Sequence, residues 1–182
     1  MRAAHERGHE CGPFAWRHEI AHTLGPAPGR RAHERLIADA LLTYQLTEPG
    51  QPTRFHYRFV ELDRATMPVD DLAAKLARYA RLHRYTIAAE EPGDPPVPLW
   101  TRLYPVFPLV LLVLAGGTRE RLERRRETVL ALCREDPELC ETPEVEVSAC
   151  LLCDLVERGP FAAIFRTSAN TDKRVNWLGG NG

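Results

Sequence analysis

Lysine is almost missing from this chain. Of its 24 basic residues only Lys75 and Lys173 are lysines, and the rest are arginines. With abundant alanine, leucine and proline, that bias points to a GC-rich bacterial genome. It also draws attention to any lysine that stands on a structured element. An ammonium can approach a metal-bound water as a point charge and shifts its pKa readily, and a guanidinium does neither well. Net charge is nearly absent too. At −1 it gives no global attraction to nucleic acid or membrane, so any basic footprint must be local. Long apolar runs are lacking: the longest, Leu109 to Ala115, is far short of the roughly 20 residues that span a bilayer. The first residues, MRAAHERGHECGPF, contain no apolar core of a signal peptide. Five cysteines, an odd number without an export signal, lead us to expect reduced thiols in the cytoplasm.

What is present is an ordinary globular composition, 44% hydrophobic and 27% charged over 182 residues, enough for one domain with a real core. The chain is organised around Arg54 to Leu82. Its first half alternates as a strand, with Phe55, Tyr57, Phe59, Glu61 and Asp63 on one face. Two carboxylates continuing an aromatic face need a cation, a metal or a proton, because burying a bare carboxylate is costly. A helix follows, with Asp70 and Asp71 in its first turn, where the helix dipole favours them. Leu72, Leu76, Tyr79 and His83 share one side of that helix, and Lys75 sits at its edge.

The remaining pattern predicts a mixed α/β domain. Residues 1–13 read as a loose tail, Phe14 to Leu24 as a short helix stopped by Gly25, and Leu36 to Leu46 as a strand. Residues 89–105 form a long proline-rich connection carrying Trp100, Arg102 and Tyr104. Val106 to Ala115 fits a strand buried on both faces. Thr118 can cap a charged helix running to about Glu135. Val145 to Leu152 and the segment RGPFAAIFR complete the extended pieces, and 167–182 reads as a C-terminal tail.

The blocks FVELDRAT, LAAKLARYARL and ERGPFAAIFR, with a buried strand and an arginine-rich helix between them, resemble the replication-relaxation protein family of actinobacteria and their plasmids. The resemblance covers roughly Trp16 to Arg166. It implies a PD-(D/E)XK nuclease-like core over 14–166, with a mixed central sheet flanked by helices. In that pattern Glu19 matches the glutamate of the first helix, and Asp39 the aspartate of the PD motif, with Ala38 in the proline position. Glu61 matches the acidic residue of the (D/E)XK strand, and Asp63 stands where the lysine would be. Lys75 would supply the amine from the next helix. The resemblance thus implies a catalytic set of Glu19, Asp39, Glu61, Asp63 and Lys75, with Asp39, Glu61 and Asp63 holding Mg²⁺ or Mn²⁺. Such proteins commonly also carry a winged-helix part, for which this chain has no room. DNA is therefore the expected partner, with room for a protein partner that supplies DNA targeting and for a homodimer.

Rival readings come from other residues. A catalytically inactive nuclease-fold protein that binds DNA or a partner is the first alternative, favoured by Asp63 in the lysine position. His18-Glu19-Ile20-Ala21-His22 is a literal HExxH, the zinc-protease signature, on the expected first helix. Its extension would place a third ligand at Pro28, which cannot bind metal, so a zinc hydrolase is the second alternative. Cys150 and Cys153 form a CxxC, read as buried thiols in a strand rather than as a zinc knuckle. The arginine cluster from Arg119 to Arg126 fits either phosphate contact or a solvated helix face.

Overall fold

A computed structural model describes residues 2–9, 15–26, 33–47, 50–91, 93–170 and 172–179. Among the described residues, seven strands form one mixed sheet in the order β1-β2-β3-β6-β7-β8-β9. β1 (Trp16–Pro26), β2 (His33–Leu46) and β3 (Arg54–Asp63) are an antiparallel meander. β3 then runs parallel to β6 (Leu109–Leu114), and β6 parallel to β7 (Val147–Leu151). The parallel pairs need crossovers, and these are α2 (Val69–Arg84) and α3 (Arg119–Glu135). β8 (Phe165–Thr167) and β9 (Arg174–Val175) close the sheet antiparallel. β4 (Thr86–Ile87) and β5 (Val97–Pro98) pair separately in the proline-rich connection, beside a 3-10 turn over Leu99–Arg102. Among the described residues, no helix is long and apolar enough to cross a membrane.

The sheet has an apolar layer on each face. On one side Phe59, Leu112 and Val147 pack under α2 and α3, against Leu72, Leu76, Tyr79, Val129 and Leu130. This is the amphipathic face of α2 anticipated from its spacing; Asp70 and Asp71 at its start and Arg81, His83 and Arg84 at its end complement the dipole. Thr118 accepts from Arg121 N and caps α3. On the other side Tyr44, Val113, Cys150, Phe165 and Trp177 form a second cluster.

The first element departs from expectation. Trp16 to Pro26 is a strand, not a helix, and Phe14 lies outside the described residues. Over so short a segment the apolar spacing of Ile20 and Leu24 fits either period, and pairing with β2 from Trp16–Leu42 to Pro26–His33 decides it. HExxH therefore does not lie on a helix. His22 is buried against Phe59 and Tyr104, whereas His18 lies beside Trp16 on the opposite face. Strand alternation alone would put both on one face. The left-handed backbone at Glu19, with φ of 51°, reverses it.

The terminal segments pack as well. Ala4 in α1 (Arg2–His5) is buried, and His9 Nδ1 bonds to the Tyr44 hydroxyl. Beyond residue 166, Trp177 is buried, and the buried Arg58 donates to the carbonyls of Trp177 at 2.7 Å and Leu178 at 2.9 Å. A guanidinium removed from water requires such acceptors, so the C-terminal segment is tied to β3. The final extended piece is also shorter than its sequence suggests. Leu152–Arg158 forms α4, which places Cys150 on β7 and Cys153 on a helix. Cys133, Cys140, Cys150 and Cys153 are all free thiols, and burial pushes Cys133 and Cys150 up to about 12.

Candidate functional site

The site forms where the meander opens. The β2–β3 ladder runs from Leu46–Arg54 to Ala40–Val60 and then stops. The next β2 residue is Asp39, and its Oδ2 accepts the Leu62 N–H at 2.7 Å in place of a ladder carbonyl. Its side chain remains 46% exposed. Across the gap, β3 continues beside β6 and carries Glu61 and Asp63 toward the carboxyl ends of the parallel strands. That end of an open α/β sheet is where ligands commonly bind.

Glu61 is buried at 2% exposure, and both of its oxygens are engaged. Oε2 accepts from Lys75 Nζ at 2.5 Å and Oε1 from the Tyr79 hydroxyl at 2.6 Å, one helical turn further along α2. Burial pushes the Glu61 carboxyl up to about 7. The hydrogen bonds and charge of Lys75, and the Tyr79 hydrogen bond, oppose that rise without cancelling it. Tyr79 itself is driven well above its ordinary range by burial and by the facing Glu61. Lys75 Nζ also lies 3.7 Å from Asp39 Oδ1, so the amine spans the two carboxylates.

Asp63 is on the same face but has other partners. Arg125 of α3 grips it with two nitrogens, Nε to Oδ2 at 2.5 Å and Nη2 to Oδ1 at 3.1 Å. Oδ1 also accepts the Ala65 N–H at 3.1 Å. Asp39, Glu61, Asp63 and Lys75, with Arg64, Thr66 and Met67, line one cavity of about 140 Å³. Glu19 does not line it. The β1–β2 register, His18 with Ala40 and Ile20 with Ala38, leaves Glu19 beside Asp39 on the exposed side strand.

A larger, apolar cavity of about 610 Å³ lies on the opposite sheet face, lined by Trp16, His18, Leu42, Tyr44 and Trp177. It meets the smaller one at Asp39 and Leu62, which line both. Neither this groove nor the roles of Tyr79 and Arg125 was anticipated. Tyr79 reads as core from its spacing, and Arg125 is one arginine among many on a charged helix.

The replication-relaxation family model matches residues 1–96. The chain belongs to that family. The matched part holds β1, β2, β3 and α2, and so Asp39, Glu61, Asp63 and Lys75 of this replication-relaxation protein, while Arg125 lies beyond it. Membership points to a part in the replication of plasmids or mobile elements, with DNA involved. No curated protein and no solved structure matches the chain.

The histidines do not join this centre. Burial lowers His22 to about 4, so it is neutral near pH 7, and its Nε2 is hydrogen-bonded to the Tyr104 hydroxyl at 2.7 Å. Among the described residues, no group of three or more His, Cys, Asp or Glu is placed to hold a metal ion.

Proposed function

We propose that this replication-relaxation protein is a divergent metal-dependent nuclease-like protein of the PD-(D/E)XK type, acting on the phosphodiester backbone of DNA during plasmid or mobile-element replication. The observation that carries the reading is the meeting of Asp39, Glu61 and Lys75 around one cavity, from two adjacent strands and the helix that follows them.

The donor set suits a hard divalent cation. Mg²⁺ takes oxygen ligands and commonly only one or two protein carboxylates, its remaining positions held by water. Asp39 and Glu61 would hold it. To ligate the ion Glu61 would exchange its Lys75 contact for it, and Asp63, a third ligand by resemblance, would likewise have to give up its Arg125 contact. Bound there, Mg²⁺ or Mn²⁺ would neutralise phosphate charge and lower the pKa of a water. Lys75 donates a hydrogen bond at the cavity and can orient the attacking water. Tyr79 fixes the Glu61 carboxylate from behind, so that its other oxygen faces Lys75.

One observation favours a second reading, a catalytically silent member that binds DNA or a protein partner. Glu61 and Asp63 each already hold a cation of the chain itself, Lys75 and Arg125. Calorimetry with Mn²⁺, beside a nicking assay on supercoiled plasmid, separates the two. The nuclease reading expects wild type to bind the ion and nick slowly, Glu61→Ala to lose both, and Lys75→Ala to bind the ion without nicking. Absence of ion binding by the folded protein, or nicking by Lys75→Ala at the wild-type rate, would move the assignment to the silent scaffold.

A further inference from the structure

Among the described residues, the small cavity contains one cation that no carboxylate claims. Of its lining residues, Lys75 is paired with Glu61, and Asp63 is paired with Arg125. Arg64 lines the same cavity, is exposed, and has no hydrogen-bond or ion-pair partner among the described residues. An unpaired arginine on a surface is ordinarily just solvated. This one differs in how firmly its loop is held. Ala65 is left-handed at φ 57°, a costly conformation for a residue with a Cβ, and its N–H is fastened to Asp63. The Arg64 carbonyl lies so close to Gly116 that a Cβ there would come within 2.4 Å of it. Arg125 Nη2 donates to the Met67 carbonyl at 2.6 Å and fastens the far end of the loop. Three contacts thus fix the five-residue loop 64–68, whose arginine borders the carboxylate–lysine pair and has no side-chain partner among the described residues.

We propose that Arg64 is a phosphate-binding residue that engages the DNA backbone at this cavity. A guanidinium presents paired donors that match phosphate oxygens, and it keeps its charge throughout the pH range of function. With Lys75 paired to Glu61 by its hydrogen bond, Arg64 is the cavity's uncommitted basic side chain among the described residues, lining it together with the half-exposed Asp39. The assignment rests on the reading of this cavity as the DNA-processing site, but its readout is DNA binding without metal or turnover.

The test is fluorescence anisotropy of a labelled 20-base-pair DNA duplex in EDTA, titrated at several salt concentrations. Arg64→Ala should weaken binding about tenfold and reduce the slope of log K against log salt by about 0.9, the value for one lost phosphate contact on duplex DNA. Arg64→Lys keeps the charge and should retain the slope while recovering only part of the affinity, which separates a lost contact from a lost fold. Arg134→Ala, at the far end of α3, should leave both unchanged. Wild-type affinity and slope in Arg64→Ala would overturn the proposal, as would wild type that shows no salt-dependent binding. Binding through Arg64 without Mn²⁺ uptake or nicking would retain it and remove only the nuclease reading. Nicking by wild type with Arg64→Ala unchanged would do the reverse.

Discussion

Lys75 Nζ lies 2.5 Å from Glu61 Oε2, and the Glu61 carboxyl is nonetheless pushed up to about 7. A lysine contact normally lowers a carboxyl pKa. Here removal from water outweighs it, because the carboxylate sits at 2% exposure beneath α2.

Stability should record that shift. Glu61 in the folded chain binds its proton more tightly than in the unfolded chain, whose ordinary value is 4.5. Its contribution is full below that value and is lost as pH rises toward about 7, by on the order of 2–3 kcal/mol. His22, lowered to about 4, acts in the opposite sense, stabilising above its ordinary 6.5 and losing that contribution as pH falls toward 4. Urea unfolding at pH 5 and pH 8 of wild type and Glu61→Gln isolates the glutamate. The Gln variant should lose less stability on going from pH 5 to 8, and equal losses would show that Glu61 is already ionised at pH 5.

Tyr79→Phe should raise the Glu61 pKa further, since the phenol hydroxyl favours the charged form. A carboxyl-carbon NMR titration of Glu61 reads this directly. The variant should also cost about 1–2 kcal/mol of stability from the lost hydrogen bond to a buried group.

Arg125→Ala should destabilise the fold by about 3 kcal/mol, because it strands Asp63, whose side chain is 3% exposed, without its cation. Adding Asp63→Asn in that background should restore part of the loss. A double-mutant cycle by urea denaturation tests it, and strictly additive effects would mean that the pair does not interact.

Gly116→Ala should cost about 1–3 kcal/mol, since φ of 80° is unfavourable for alanine and the new Cβ would meet the Arg64 carbonyl. The same variant should weaken DNA binding by displacing Arg64. A thermal melt beside the anisotropy titration checks both.

By itself the sequence determined the middle of the chain. Alternation from Tyr57 to Asp63, the spacing of Leu72, Leu76 and Tyr79, and the Thr118 cap are local signals, and β3, α2 and α3 follow them. It also singled out Asp39, Glu61 and Lys75, which the structure brings together. Only the tertiary structure decided the first element, because a segment whose apolar spacing fits both periods takes the form that its pairing with β2 imposes. The same holds for what Asp63 does. Nothing local distinguishes Arg125 from its neighbours in RERLERRRE, and α3 reaches β3 only through the packing of α2 and α3 across the sheet. That Arg64 has no partner among the described residues is decided there too. Whether a charge is satisfied depends on partners distant in sequence, and Arg125, 62 residues beyond Asp63, takes the carboxylate that its sequence neighbour Arg64 leaves alone.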